Sequence, residues 1–375
     1  YGGAHARWRS ERDMGNDATL GLVAGMSWSR QNDQRNGYEN FIGDQLGVRG
    51  RLRRDEANTA EALEPYVQAE WRTPGWTLAA GLRYSHVRFT SRDHYIAPGN
   101  GDDSGRTRYS GISPVIGGRV QLAESLQAFA SVGGGFETPT LNEAAYSPGA
   151  QAGLNRGLSA SRQQSAEIGL RGRHGWGGWT ATLFDVRTQD EIVPAQNLGG
   201  RTTFQNAGRT HRHGLELSAD AEFGSVTLTG AATFIEARFR DGYSKCAAPP
   251  CANPADVVPA GRRIPGIARQ QLYAQLDWRL AWAQGAVLGL EARHTGRVPV
   301  NDANSDRAGA ATVLALSLRH DITRGAWRLQ PFLRIDNLTN RRYAGSVIVN
   351  EGNGRFFEPA AGRSIFVGLE VRARR

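Results

Sequence analysis

The stretch Gly214-Leu-Glu-Leu-Ser-Ala-Asp-Ala-Glu-Phe223 alternates at every position. In an extended chain Leu215, Leu217, Ala219, Ala221 and Phe223 lie on one side, and Glu216, Ser218, Asp220 and Glu222 on the other. The pattern recurs. Leu272, Ala274, Leu276, Trp278 and Leu280 alternate with Tyr273, Gln275, Asp277 and Arg279, and Ile365, Val367, Leu369 and Val371 with Phe366, Gly368, Glu370 and Arg372. A period of two with one apolar and one charged face specifies β-strands. The apolar face must meet either a second sheet or lipid.

Two features select lipid. Short turns (72–75, 122–125, 174–178, 222–225, 282–285 and 323–326) alternate with long polar stretches near 41–61, 90–108, 137–162, 194–212, 240–269, 298–310 and 345–363. Outer-membrane barrels have this rhythm of short periplasmic turns and long extracellular loops. The segments between are about ten residues or longer, enough for a tilted strand to cross a bilayer. They number fifteen, near 3–11, 18–38, 62–72, 76–89, 108–121, 126–136, 163–173, 179–192, 212–222, 226–239, 270–280, 286–297, 311–321, 327–343 and 364–374. The fold expected is an all-β, transmembrane antiparallel barrel. The last strand then ends in the periplasm. Bacterial barrels close on an even number, and lipid tolerates no open edge, so further strands are expected before Tyr1. A secretion signal is expected there too.

Composition agrees. Of 375 residues 39% are hydrophobic and 47 are Gly, with mean hydropathy −0.47, too polar for a large soluble core. No apolar run is long enough for a membrane helix. The net charge of +9 comes almost wholly from Arg, since Lys245 is the sole lysine. The arginines are scattered rather than gathered on a basic helix, so no nucleic-acid partner is expected. Cys246 and Cys251, separated by four intervening residues in a Pro-rich stretch, suit a local disulfide in an oxidising compartment.

Three stretches carry a resemblance: Gly135-Phe-Glu-Thr-Pro-Thr-Leu-Asn-Glu143, Arg334-Ile-Asp-Asn-Leu-Thr-Asn-Arg-Arg-Tyr343 and the C-terminal strand. They resemble the TonB-dependent receptors, whose 22-stranded barrel is plugged by an N-terminal domain. The resemblance implies that residues 1–375 are a partial barrel, strands eight to twenty-two, without the plug and the first strands. It also implies an outer-membrane location in a Gram-negative bacterium, a TonB complex acting through the plug, contact with lipid and lipopolysaccharide, and a monomer. Four loop segments narrow the likeness: Asp93-His-Tyr-Ile-Ala-Pro-Gly-Asn-Gly-Asp-Asp-Ser-Gly105, Gly199-Gly-Arg-Thr-Thr-Phe-Gln-Asn-Ala-Gly208, Arg263-Ile-Pro-Gly-Ile-Ala-Arg269 and Gly345-Ser-Val-Ile-Val-Asn-Glu-Gly-Asn-Gly-Arg-Phe-Phe-Glu-Pro359. Together they resemble the branch that takes up pyrroloquinoline quinone. Two departures stand out. The plug with its TonB-contacting segment is absent, and Ala373, followed by Arg374 and Arg375, stands where the family usually ends in an aromatic residue.

A flat tricarboxylate quinone calls for guanidinium forks and aromatic faces. Loops offering both give the candidates: Asn350, Glu351, Arg355, Phe356, Phe357 and Arg363 in the last loop; Arg201, Phe204, Asn206 and Arg209; Arg262 and Arg263; and His94, Tyr95 and Arg106. For any one loop arginine the plainer account is contact with lipopolysaccharide phosphate or solvent. Asp102 and Asp103 lack the spacing of a Ca²⁺ loop and read as turn residues, so no metal is expected. Gly133–Gly135 lack the Lys and helix of a phosphate loop and read as a strand that bends or passes close to the plug. Glu137, Thr138 and Asn142 read either as strand-end caps or as lining for the ligand path. His86, His94 and the Asp190-Glu191 pair form no catalytic constellation, so no enzyme is expected. A ferric-siderophore receptor and a passive porin are the alternatives to quinone uptake.

Overall fold

In the computed structural model the described residues are 1–98, 100–144, 154–198, 201–245 and 256–373. They form strands and turns throughout, with one large antiparallel sheet. Its fifteen long strands are β1 (Gly2–Gly15), β2 (Ala18–Tyr38), β3 (Leu52–Arg72), β4 (Trp76–Asp93), β5 (Gly105–Ala123), β6 (Leu126–Glu137), β7 (Ser161–His174), β8 (Gly177–Gln189), β9 (Thr210–Phe223), β10 (Val226–Phe239), β11 (Gln270–Arg279), β12 (Ala286–Thr295), β13 (Ala311–His320), β14 (Trp327–Asp336) and β15 (Ser364–Ala373). Each pairs with its sequence neighbours, and a short piece, Ile322–Arg324, joins the sheet beside β14. Among the described residues β1 pairs only with β2 and β15 only with β14. The two outer strands of the sheet therefore each leave one edge without a ladder.

The alternation read from sequence sets the faces. Leu228, Leu276, Leu290, Leu316, Ile335 and Ile365 lie directly opposite one another across six strands. A second row runs Ile168, Leu183, Leu215 and Phe234. Most of these side chains stand open to the surroundings, Ile168 at 60% and Leu183 at 57% exposure, while Leu215, Leu316 and Ile335 are half-buried. A face this apolar and this uncovered is made for lipid. Aromatic residues gather where this face meets the short turns: Trp71 and Trp76 flank one, Phe223, Trp278 and Trp327 others, and Trp176 stacks 6.5 Å from Phe223. Amphipathic rings at one end of the apolar band mark a membrane interface.

The turns and loops keep the expected rhythm. Asn16 and Asp17, both at positive φ, make the two-residue hairpin between β1 and β2. Among the described residues five small hairpins sit in the long connections, the largest pairing Ile192–Leu198 with Arg201–Asn206. Two expectations need correction. The stretch 41–61 is only half loop, because β3 begins at Leu52. Leu52–Glu61 carries polar residues on both faces, so the period-two signal fades although the ladder to β2 continues. The strand read as 327–343 ends at Asp336, where Asn337 turns at positive φ and its amide bonds the backbone of Arg341. Gly133–Gly135 run in a straight ladder against Ser165–Gln163, not in a bend. A Cβ at Gly134 would crowd the Pro114 ring, which explains one glycine there.

Candidate functional site

On the face opposite the lipid rows, the long-loop end of the sheet is roofed by its own connections. Ala237 and Phe239 of β10, Val193, Ala207, Val258 and Ile264 form a small buried apolar cluster. That cluster seats the loops, and a polar clasp then locks them. Asn350, 5% exposed, donates from its side-chain amide to the Pro194 carbonyl and to the Asp302 carboxylate, each at 2.7 Å. Its amide oxygen accepts from Lys245 Nζ at 2.8 Å and from the Asp302 backbone N–H at 3.1 Å. Lys245 also lies 3.4 Å from Asp302, which is 1% exposed. One asparagine thus joins four connections, and the sole lysine neutralises a buried carboxylate beside it. Burial pushes the Tyr243 phenol well up, and the negative Asp302 pushes it the same way.

The candidates fall into three groups. Asn350 and Asn206 are clasps. Asn206 bonds the Ser159 backbone in both directions and the Asp190 carbonyl. Phe204 accepts from Asn155 through its carbonyl, and Glu351 holds the backbone N–H of Asn353 and Arg355. A second group points away from the roof. Arg209 lies an even number of residues from Leu215, hence on the lipid-row face, and forms a fork with Asp241 at 2.7 and 2.9 Å. That fork holds the Asp241 carboxyl below its usual range. Arg106 shares that face through its pairing with Thr90, and Arg263 lies 3.5 Å from Glu236. The third group is open: Arg262, Arg355 and Arg363 are exposed, and the Phe356 and Phe357 rings meet edge to face at 6.3 Å. His94 and Tyr95 sit at the far side, near Asp55 and Asp93. Arg201 contributes backbone to its hairpin opposite Leu198. Cys246 and Cys251 lie outside the described residues.

The remaining sites considered have plain roles. Asp102 accepts the Ser104 N–H, a turn contact that lowers its carboxyl, while burial beside Asp93 raises Asp103. Glu191 pairs with Arg212 at 2.7 Å and accepts from Thr210. Sequence reading missed one cluster, Asp185, His211 and His213, whose ligand atoms lie within 4.8 Å of one another. Only the register shows it, since Asp185 stands opposite His213 on the next strand. It is a poor metal site. A ligating imidazole donates its other N–H outward, yet Nδ1 of His211 already faces the Arg240 guanidinium at 2.5 Å.

An antiparallel sheet with an exposed apolar band, an aromatic rim at the short turns and interlocked loops at the other end is matched over residues 1–338 by the model of the TonB dependent receptor-like β-barrel. The chain belongs to this family. Solved structures agree on the fold. The ferric citrate transporter FecA, unliganded, matches with TM-score 0.77 at 14% identity, over 99% of this chain and 54% of that one. The ferric yersiniabactin uptake receptor FyuA from Yersinia pestis gives 0.71 at 18%, over 99% and 54%. The copper transporter OprC gives 0.72 at 14%, over 99% and 56%. The chain thus spans about half the length of these proteins. Membership of the TonB-dependent receptors places the barrel in the outer membrane of a Gram-negative bacterium, its apolar rows toward lipid and its charged face toward the lumen. The family comprises transport proteins rather than enzymes.

Proposed function

We propose that the chain is the later part, strands eight to twenty-two, of a receptor that captures a small anionic ligand at its extracellular loops and imports it with energy relayed through TonB. The C-terminus would then be periplasmic. The observation that supports this most is the roof: loops from β8 to β15 interlock at Asn350 yet leave Arg262, Arg355 and Arg363 exposed, with Arg355 directly before the Phe356–Phe357 pair. Exposed guanidinium forks next to aromatic faces suit carboxylate- or catecholate-bearing ligands. A passive porin has no use for such a locked roof.

Within that reading a ferric chelate is the better-supported ligand, because FecA and FyuA, structures similar to this chain, are named for ferric citrate and ferric yersiniabactin. Pyrroloquinoline quinone is the second reading, carried by the resemblance of the four loop segments alone. Titration of the full-length receptor with a panel of ferric siderophores and with the quinone decides between them. Saturable siderophore binding that is lost on replacing Arg355 and Arg363 supports the first. Tight quinone binding with no siderophore affinity overturns it.

A further inference from the structure

We propose that Lys245 and Asn350 join in an intramolecular isopeptide bond, formed with Asp302 as the proton carrier and with release of ammonia. The proposal rests on the geometry of the roof, not on which ligand is imported.

The three groups that such a bond requires meet in one buried place. Lys245 ends the short strand Tyr243–Lys245 in the connection after β10, and its Nζ lies 2.8 Å from the side-chain carbonyl oxygen of Asn350. The carbon to be attacked, Cγ, is one bond beyond that oxygen. Asp302, in the connection between β12 and β13, touches both nucleophile and leaving group. Its Oδ2 accepts from Asn350 Nδ2 at 2.7 Å and lies 3.4 Å from Lys245 Nζ. The Asp302 backbone N–H donates to the Asn350 carbonyl oxygen at 3.1 Å, where negative charge gathers during attack.

The surroundings hold these groups still and dry. The Asn350 backbone N–H donates to the Val300 carbonyl at 3.0 Å, and its carbonyl accepts from Asn197 at 3.3 Å. Val300 is fully buried, and Tyr243 packs edge-on against the buried Phe239 ring at 5.1 Å. Asp302 Oδ1 is buried with no hydrogen-bond partner among the described residues, which leaves room on the carboxylate for a proton. The residue types sharpen the choice. Every other Lys or Arg position of the chain holds arginine, and a guanidinium would serve an ion pair with Asp302 as well. Only an amine can become the nucleophile, and the sole lysine stands here.

The step balances without oxidant or cofactor. A proton passes from the Lys245 ammonium to Asp302 Oδ2, which exchanges two buried charges for none. The Nζ lone pair then forms a bond to Cγ, and the carbonyl π pair moves onto Oδ1 beside the Asp302 N–H. Asp302 gives its proton to Nδ2 and takes one from Nζ. As the carbonyl re-forms, the Cγ–Nδ2 bond breaks with its electron pair on nitrogen. Ammonia leaves and takes up the proton left on Asp302. The product ties the connection after β10 to the loop before β15, 105 residues away, by a bond that reductants do not open.

The test is tryptic peptide mapping, under reducing conditions, of the full-length receptor purified from outer membranes. The bond links peptide 241–262, uncleaved at Lys245, to peptide 343–355, at the sum of their masses less one ammonia. That branched peptide is expected. K245Q should abolish it, and D302N, which keeps the shape but carries no proton, should slow its formation after refolding about a hundredfold or more. Linear 343–355 together with cleavage after Lys245 in the folded receptor overturns the proposal. So does a branched peptide that forms as fast in D302N, or conversion of Asn350 to Asp, which makes water the nucleophile. If D302N fails to fold, shown by loss of heat-modifiable gel mobility, the branched peptide of the unaltered receptor still decides. None of these readouts involves ligand or uptake, so their failure leaves the receptor assignment untouched.

Discussion

At the scale of single residues, the loops are governed by hydrogen-bond completion. Asn350 was legible as a polar loop residue suited to ligand, yet the fold uses all its side-chain capacity on Lys245, Asp302 and Pro194. Removing the amide strands a buried charge pair, which costs about 2–3 kcal/mol. Because Asn350 sits at φ 55°, Asn350→Gly keeps the backbone comfortable and isolates the side chain. We expect that variant to retain the barrel while the connections at 190–209 and 298–308 become cleavable in limited proteolysis. The Arg209–Asp241 fork gives a pH prediction. The Asp241 carboxyl is depressed in the folded chain, so its contribution is present above the unfolded value near 3.8 and is lost as pH falls through the lower folded value. Carboxylate signals of Asp241 followed by NMR should therefore stay ionised through pH 5–8 and titrate late. A midpoint at or above the ordinary value contradicts the fork. The same pairing predicts that Arg209→Ala weakens ligand capture less than Arg355→Ala, as measured by equilibrium binding to the full-length receptor.

At the scale of elements, each strand is specified by its alternation and each short turn by a few backbone demands. The lipid row through Leu228, Leu276 and Leu290 leaves no room for charge. Leu290→Arg should destabilise the folded barrel by about 2–4 kcal/mol in lipid vesicles, read from denaturant-dependent folding, whereas Gln275→Arg on the lumen face should cost little. Gly285 ends the β11–β12 turn at φ 87°, and a Cβ there would overlap the Asp321 carbonyl oxygen of the neighbouring turn. Gly285→Ala should therefore slow refolding and lower stability by about 1–3 kcal/mol, checked by the same assay. Most strand boundaries were legible within two or three residues. Leu52–Glu61 was not, because above the membrane a strand needs no apolar face and the sequence loses its period.

At the scale of the molecule, the fifteen long strands and seven long connections were all countable from the chain, since lipid imposes one apolar face and a minimum length on every strand. The candidate site was less legible. Loop arginines look alike in sequence, but register sends Arg106 and Arg209 to the outer face and leaves Arg355 and Arg363 exposed on the last loop. The Asp185–His211–Arg240 chain, built from three strands, has no local signature at all. The loops should behave as one unit. Hydrogen exchange of the hairpins at 192–206 and 344–359 should slow or quicken together on Asn350→Gly, and independent exchange would contradict a shared clasp.

The sequence by itself determined the class of this protein, because alternation and the rhythm of short and long connections are local properties that each segment carries alone. Which arginines lie on the outer face, which are paired with carboxylates and which stay exposed in the loops was decided only by the tertiary structure. Those relations depend on the register between strands and on how distant loops complete each other's hydrogen bonds, and neither is written within any one segment.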